Sequence, residues 1–122
     1  MIKLVYIVRR RQDMPPEEFR KYWLEKHGPL VRSLAKDLQA RRYVQSHTVQ
    51  PELNAQLAET RGMAEAYDGI TELWWDSLEV LITALSSPAG QAAGQILAED
   101  EARFIDLPQS FMFLTEEHTI FG

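Results

Sequence analysis

Apolar and polar positions fall into two repeating patterns along this chain, and their order predicts the architecture. Ile2 to Arg9 (IKLVYIVR) is a β-branched, aromatic-containing run that ends in polar Arg10-Arg11-Gln12-Asp13, and it predicts the first strand. The period then changes to helical. Phe19, Trp23 and His27 recur at i, i+4 and i+8, with Tyr22 and Leu30 on the same side. Asp13 can cap this helix, proline suits its first turn, and Glu17 and Glu18 suit its positive end. Gly28-Pro29 should end or bend it at His27, because proline disfavours the α region for the residue before it. A second segment then runs from Pro29 to about Leu38. On this reading His27 sits at a helix C-terminus, where carbonyl ends stabilise a protonated imidazole.

Arg42 to Gln50 (RYVQSHTVQ) predicts strand two, with Tyr43, Gln45, His47 and Val49 on one side and Val44, Ser46 and Thr48 on the other. Pro51 stops it. Residues 52–68 read as a long connection with a helical turn around Leu53 to Leu57, the natural lid of the molecule. Gly69 to Asp76 (GITELWWD) predicts strand three, with Ile70, Glu72 and Trp74 opposite Leu73 and Trp75. Asp76 or Ser77 caps a helix from Leu78 to Leu85. Ser86-Ser87-Pro88 restarts it as a segment from Ala89 to about Ile105, where Gly90 and Gly94 permit close packing. Ser110 to Thr119 predicts strand four.

The order β-α-β-β-α-β predicts an α+β, ferredoxin-like fold: a four-stranded antiparallel sheet with helices on one face. Strand one is apolar on both sides, and strands three and four repeat this with Trp74 against Trp75 and with Phe111 and Phe113 against Met112 and Leu114. An antiparallel sheet with one wet face should alternate apolar with polar residues. Two helices cover one face, so a second copy of the chain is expected on the other, giving a homodimer that encloses a barrel-like interior.

Composition narrows the partners. At 122 residues one domain, 1–122, is expected, large enough to bury a core. The net charge of −5 argues against nucleic acid, since phosphate binding needs clustered Lys and Arg, and Arg9-Arg10-Arg11 and Arg41-Arg42 read as solvated strand ends. Without cysteine there is no disulfide, thiolate nucleophile or cysteine-ligated metal. No apolar run reaches membrane-spanning length and no signal pattern opens the chain, so no membrane partner and a cytoplasmic location are expected.

Histidine titrates near neutral pH, so three histidines lead the candidate chemistry. His47 lies mid-strand beside Gln45 and is first choice for a general base, with His27 and Glu72 assisting. Glu72 on strand three can face the same cavity and orient the imidazole. Tyr6, Tyr43, Tyr22, Trp74 and Gln45 are expected to bind a planar aromatic or enolisable carbonyl substrate. Each has a plain alternative: His27 and the Phe19/Trp23 stripe as packed core, Glu72 as an ion-pair partner, His118 as strand-end surface. No HxH or HExxH spacing brings two metal ligands onto one face, and neither metal nor other cofactor is expected.

Phe19-x-x-Tyr22-Trp23-x-x-x-His27-Gly28-Pro29-Leu30, together with Tyr43-Val44-Gln45-Ser46-His47 and Asp68-Gly69-Ile70-Thr71-Glu72-Leu73-Trp74-Trp75-Asp76, resembles the EthD domain family. The resemblance runs nearly the whole chain. It implies the dimeric α/β-barrel superfamily, whose members include polyketide cyclases, dehydratases and decarboxylases, muconolactone isomerases and cofactor-free monooxygenases. EthD proteins themselves are associated with oxidative breakdown of fuel ethers. The expectation that follows is cofactor-independent acid/base chemistry on a small aromatic, polyketide-like or lactone substrate. A non-catalytic binding or accessory protein, or a cofactor-free oxygenase, stands as the alternative.

Overall fold

The computed structural model describes residues 1–122. Strand β1 (Ile2–Val8) is followed by helix α1 (Pro16–Tyr22), a π-helical turn (Trp23–His27), α2 (Gly28–Ser33) and α3 (Ala35–Leu38). Then come β2 (Arg42–His47), α4 (Pro51–Glu59), β3 (Gly69–Trp75), α5 (Leu78–Ser86), α6 (Pro88–Glu101), a 3-10 turn (Leu107–Gln109) and β4 (Phe111–Thr115). The sheet order is β2-β3-β1-β4, with every neighbouring pair antiparallel. This is the α+β, ferredoxin-like arrangement that the element order predicts. The connection after β2 is more helical than a single turn, since α4 takes up nine of its residues.

The largest departure from expectation lies at Gly28-Pro29. The helix does not end at His27. Gly28 keeps helical dihedrals (φ −55°, ψ −52°) and donates its N–H to the Trp23 carbonyl, five residues back. Proline supplies no N–H and its ring crowds the carbonyl four residues earlier, so widening the turn by one residue lets the helix pass through. The helix start differs too. No side chain caps α1, and Asp13 instead pairs with Arg11 at 2.8 Å. Ser77 and Ser87 do cap α5 and α6, accepting from the Val80 and Gly90 N–H groups.

The core lies between the sheet and the helices in two clusters. One gathers Tyr6, Val8, Phe19, Trp23, Phe104 and Ile105; the other gathers Leu73, Trp75 and Leu81. The Phe19/Trp23 stripe is therefore core. Both tryptophans of β3 are buried, but on opposite sides. Trp75 faces the helices and donates to the Leu38 carbonyl at 2.8 Å. Trp74 faces the other way, covered by Lys3 and Arg42 and donating to Glu117 at 2.7 Å. The sheet face away from the helices is thus half polar, at Lys3, Glu72 and Trp74. Its other half is apolar, with Ile70 beside α4 and Phe111 and Phe113 left exposed.

Two glycines are fixed by close approach. At Gly69 a Cβ would come within 2.5 Å of the Trp23 ring and 2.7 Å of the Ser46 carbonyl oxygen, so the bare backbone is what admits the indole against the sheet. At Gly90 a Cβ would meet the Ala84 carbonyl oxygen at 1.9 Å, where α5 turns into α6. Gly94 has no such neighbour and plays no packing role. Gly69→Ala should destabilise the fold by about 1–3 kcal/mol through overpacking, read as a lower denaturant midpoint at unchanged slope. A midpoint equal to wild type would show that Trp23 does not need this seat.

Candidate functional site

The site is built on β2, an edge strand whose helix-facing positions are Tyr43, Gln45 and His47. Trp23 reaches this strand in two ways. Its ring stacks on the His47 imidazole, with centroids 4.2 Å apart and planes 16° apart. Its carbonyl, at the π turn, accepts from Gln45 Nε2 at 2.9 Å. The same Nε2 donates to the Tyr43 hydroxyl at 2.7 Å.

These contacts fix a proton. A backbone carbonyl only accepts, so the Gln45 group facing Trp23 must be the amide nitrogen. The other end is then the oxygen Oε1, which lies 2.8 Å from His47 Nε2. An oxygen acceptor requires Nε2 to carry hydrogen, which leaves Nδ1 of a neutral His47 with its lone pair free. Burial, together with the nearby Arg20 cation, lowers the His47 pKa and favours that neutral form. A positioned neutral imidazole with one fixed tautomer can act as a general base.

His47 stands at the rim of a cavity of about 670 Å³ beneath α4 and the following loop, which Ile7, Ser46 and Ile70 line from the sheet face opposite Trp23. Leu57, Met63, Tyr67 and Ile70 give it apolar walls, and Arg61 is the cation among its lining residues. Residues of the connection 51–69 thus form one wall of this cavity.

The structure does not bring Glu72 to His47. The β2–β3 register pairs Val44 with Glu72 and Gln45 with Thr71, so Glu72 and His47 lie on opposite faces of the sheet. Glu72 instead holds Lys3 at 2.8 Å, the ion-pair alternative. Trp74 shares that far face and is likewise separated from His47. His118 is exposed beyond the end of β4.

His27 also departs from expectation. It is buried within a continuous helix, and Nδ1 lies 2.7 Å from the Asp100 carboxylate on α6. Burial lowers its pKa, and the Asp100 hydrogen bond pulls in the opposite direction without overcoming it. A protonated imidazole stabilised by helix carbonyls is therefore not what the structure places here. Tyr22 donates to the other Asp100 oxygen at 2.5 Å. His27 and Tyr22 thus clamp the motif helix to α6.

Tyr6 faces the helices and donates to Glu101 at 3.2 Å. Burial pushes the Glu101 carboxyl up to about 7 and raises the Tyr6 and Tyr43 hydroxyls as well. Asp100 and Glu101 were missed in the sequence, where α6 read as a packing helix. The available signal was Asp100 standing four residues before Phe104 and seven after Ala93, an acid inside the buried stripe. No three histidine, aspartate or glutamate side chains converge as a metal site. No helix is long and apolar enough to cross a membrane.

Comparisons with known proteins agree with this frame. The EthD domain family profile matches residues 11–108. An EthD family protein of Bacillus halodurans superposes with a TM-score of 0.64 at 21% identity, covering 97% of this chain and 99% of the other. A Bacteroides fragilis protein of unknown function, described as dimeric with a ferredoxin-like fold, gives 0.56 at 17% identity, covering 95% of each chain. SnoaB of Streptomyces nogalater, a cofactor-independent oxygenase, gives 0.57 at 12% identity, covering 98% of this chain and 95% of its own. No curated protein matches.

Glu101 generates a pH signature of stability. Its carboxyl titrates near 7 when folded and near the ordinary 4.5 when unfolded, so the folded state holds the proton more tightly. That contribution is complete below about 4.5 and is lost as pH rises through about 7. Glu101→Gln should flatten the fall in stability across this window and leave the variant more stable than wild type at pH about 8, by on the order of 1 kcal/mol or more. Denaturant midpoints against pH read this directly. Parallel curves for the two proteins would remove the buried-acid assignment.

Proposed function

The chain belongs to the EthD domain family, and on that footing we propose that it is a cofactor-independent proton-transfer enzyme in which His47 is the general base. The observation that carries this reading is the Gln45 bridge, which commits Nε2 of His47 as a donor and leaves Nδ1 to take a proton. The substrate class is a small enolisable aromatic, polyketide-like or lactone compound, sized to the cavity beneath α4. His47 Nδ1 takes the proton from a carbon beside a carbonyl, and the electron pair moves onto the carbonyl oxygen. Arg61 lines the same cavity and can pair the resulting enolate. Returning the proton at another carbon completes an isomerisation; loss of a leaving group from the enolate completes an elimination. Tyr43 and Gln45 position the base, Trp23 fixes its plane, and His27 is a positioning residue acting through the helix.

The homodimer belongs to the same proposal. The exposed Phe111 and Phe113 lie on the part of the far sheet face that α4 leaves open, and two of the similar solved proteins are described as dimeric. Sedimentation at micromolar concentration should give twice the chain mass. A stable single-chain mass would withdraw the dimer without touching the His47 assignment.

Proton transfer is read by exchange of the α-hydrogen of a β-keto lactone or aryl ketone in deuterated water. His47→Ala should slow it about 10²–10⁴-fold, and Gln45→Ala by less, with its pH profile shifted because the tautomer is no longer fixed. Uptake of oxygen alongside exchange would place the chain among cofactor-free oxygenases, since the same deprotonation prepares an activated phenol or anthrone for oxygen. Ligand retention with no exchange in wild type would identify a binding protein and sink the catalytic reading.

A further inference from the structure

A second cavity lies on the other side of the bend from His47. Its volume is about 570 Å³, within the range of small-molecule sites, and it runs between the α2–α3 segment and the start of β2. Leu24, Val31, Ala35, Leu38, Ala40 and Leu73 give it an apolar lining, and Tyr43 and Gln45 line it as well. Its charged lining residues are all of one sign: Arg32, Arg41 and Arg42, with no aspartate or glutamate. That is unexpected in a chain of net charge −5, where an arginine more often meets an acid than another arginine.

The three arginines differ in what they already hold. Arg41 pairs with Asp76 at 3.0 Å, both side chains being mostly exposed. Arg42 lies over the Trp74 ring, 4.7 Å from its centroid. Arg32 makes no side-chain hydrogen bond and no ion pair, although Glu25 and Asp37 lie only seven and five residues away in the flanking helical segments. The exposed Arg41–Asp76 pair is weak and can exchange its partner for little cost. An apolar trough bordered by Arg32 and Arg41, the first with all its donors unused, complements a molecule with a greasy body and an anionic head. Guanidinium groups match a carboxylate in particular, because two parallel N–H donors meet its two oxygens.

We propose that this groove binds an amphipathic carboxylate, an aryl or acyl acid whose ring or chain lies along Leu24, Val31 and Leu38 and whose carboxylate is held by Arg32 with Arg41. The site is distinct from the His47 cavity and does not depend on the proton-transfer reading. Gln45 is shared by the two, lining this groove and bonding His47.

The test titrates 2-naphthoate and the neutral 2-naphthalenemethanol into the full chain by calorimetry. Naphthoate should bind about tenfold more tightly than the alcohol at low salt, the factor expected when a charged head meets a guanidinium. The preference should narrow in about 0.5 M salt, where the Debye length falls to a few ångströms. Arg32→Gln with Arg41→Gln should bring the two ligands within about twofold, while the alcohol's own affinity stays unchanged. Ala35→Trp, which fills the trough, should weaken both ligands. His47→Ala should weaken neither. Equal affinity for acid and alcohol, full naphthoate affinity in the double arginine variant, or no binding at about 5 mM would each overturn the assignment. Loss of naphthoate binding in His47→Ala would overturn it as well, by placing the ligand in the other cavity.

Discussion

Trp23 is held at both its ends, and most of what is distinctive in this molecule follows. The indole needs the missing side chain of Gly69 to lie against the sheet, and it then meets the imidazole of His47 face to face. The carbonyl of the same residue sits at a widened helical turn, where it takes both the Gly28 N–H and the Gln45 side chain. One residue thus joins the helix to β3 by packing and to β2 by hydrogen bonding. Because the carbonyl of Trp23 can only accept, its contact decides which way the half-buried Gln45 amide faces. The histidine's tautomer is consequently set by backbone geometry in another element.

The carboxylates on α6 show the same economy of pairing. Asp100 is buried and survives there because His27 and Tyr22 both reach it, from positions one helical turn apart. Glu101 is less well served. Its one side-chain partner is the Tyr6 hydroxyl, at 3.2 Å, and the neighbouring Asp100 charge opposes its ionisation. Two adjacent acids therefore have different fates: one is a joint between helices, while the other is pushed toward the neutral form. Desolvation is the largest influence on both His27 and His47, and what separates them is their partner: His27 meets the Asp100 carboxylate, His47 the neutral Gln45 amide.

Much of the fold was legible because it rests on period. The β-branched and aromatic runs of β1, β2 and β3 and the i, i+4 spacing of Phe19, Trp23 and His27 name their own elements. Which face each strand residue takes was also readable within a strand. What alternation cannot supply is the phase between strands. Whether Glu72 shares a side with Val44 or with His47 depends on register, and a shift of one residue exchanges the answers. Pro29 misled for a related reason: local dihedral preference says stop, but the buried faces on both sides of the bend reward continuing, and a π turn satisfies both. Asp100 and Glu101 stayed hidden because their partners lie more than seventy residues away in the chain.

The same turn explains why both cavities adjoin β2 and neither adjoins β4. A helix that ran straight through residues 23–33 would need an N–H at position 29 to keep its pitch, and Pro29 has none. The helix widens there into a π turn, and the stretches on either side meet β2 differently. The half before the turn lays Trp23 on His47 and closes over the strand's end. The half after it, with Val31 and Ala35, stands off from Tyr43 across the arginine-rimmed groove. An edge strand has free backbone on its outer side and side chains that need cover on its helix side, so it is the place in a sheet where a helix can be lifted without unpairing a ladder. Gln45 sits at the point where the two halves part, bonded to one and facing the other. A substitution that straightened the helix would therefore change both cavities together, whereas changes to Arg32 or to His47 would leave the opposite cavity as it is.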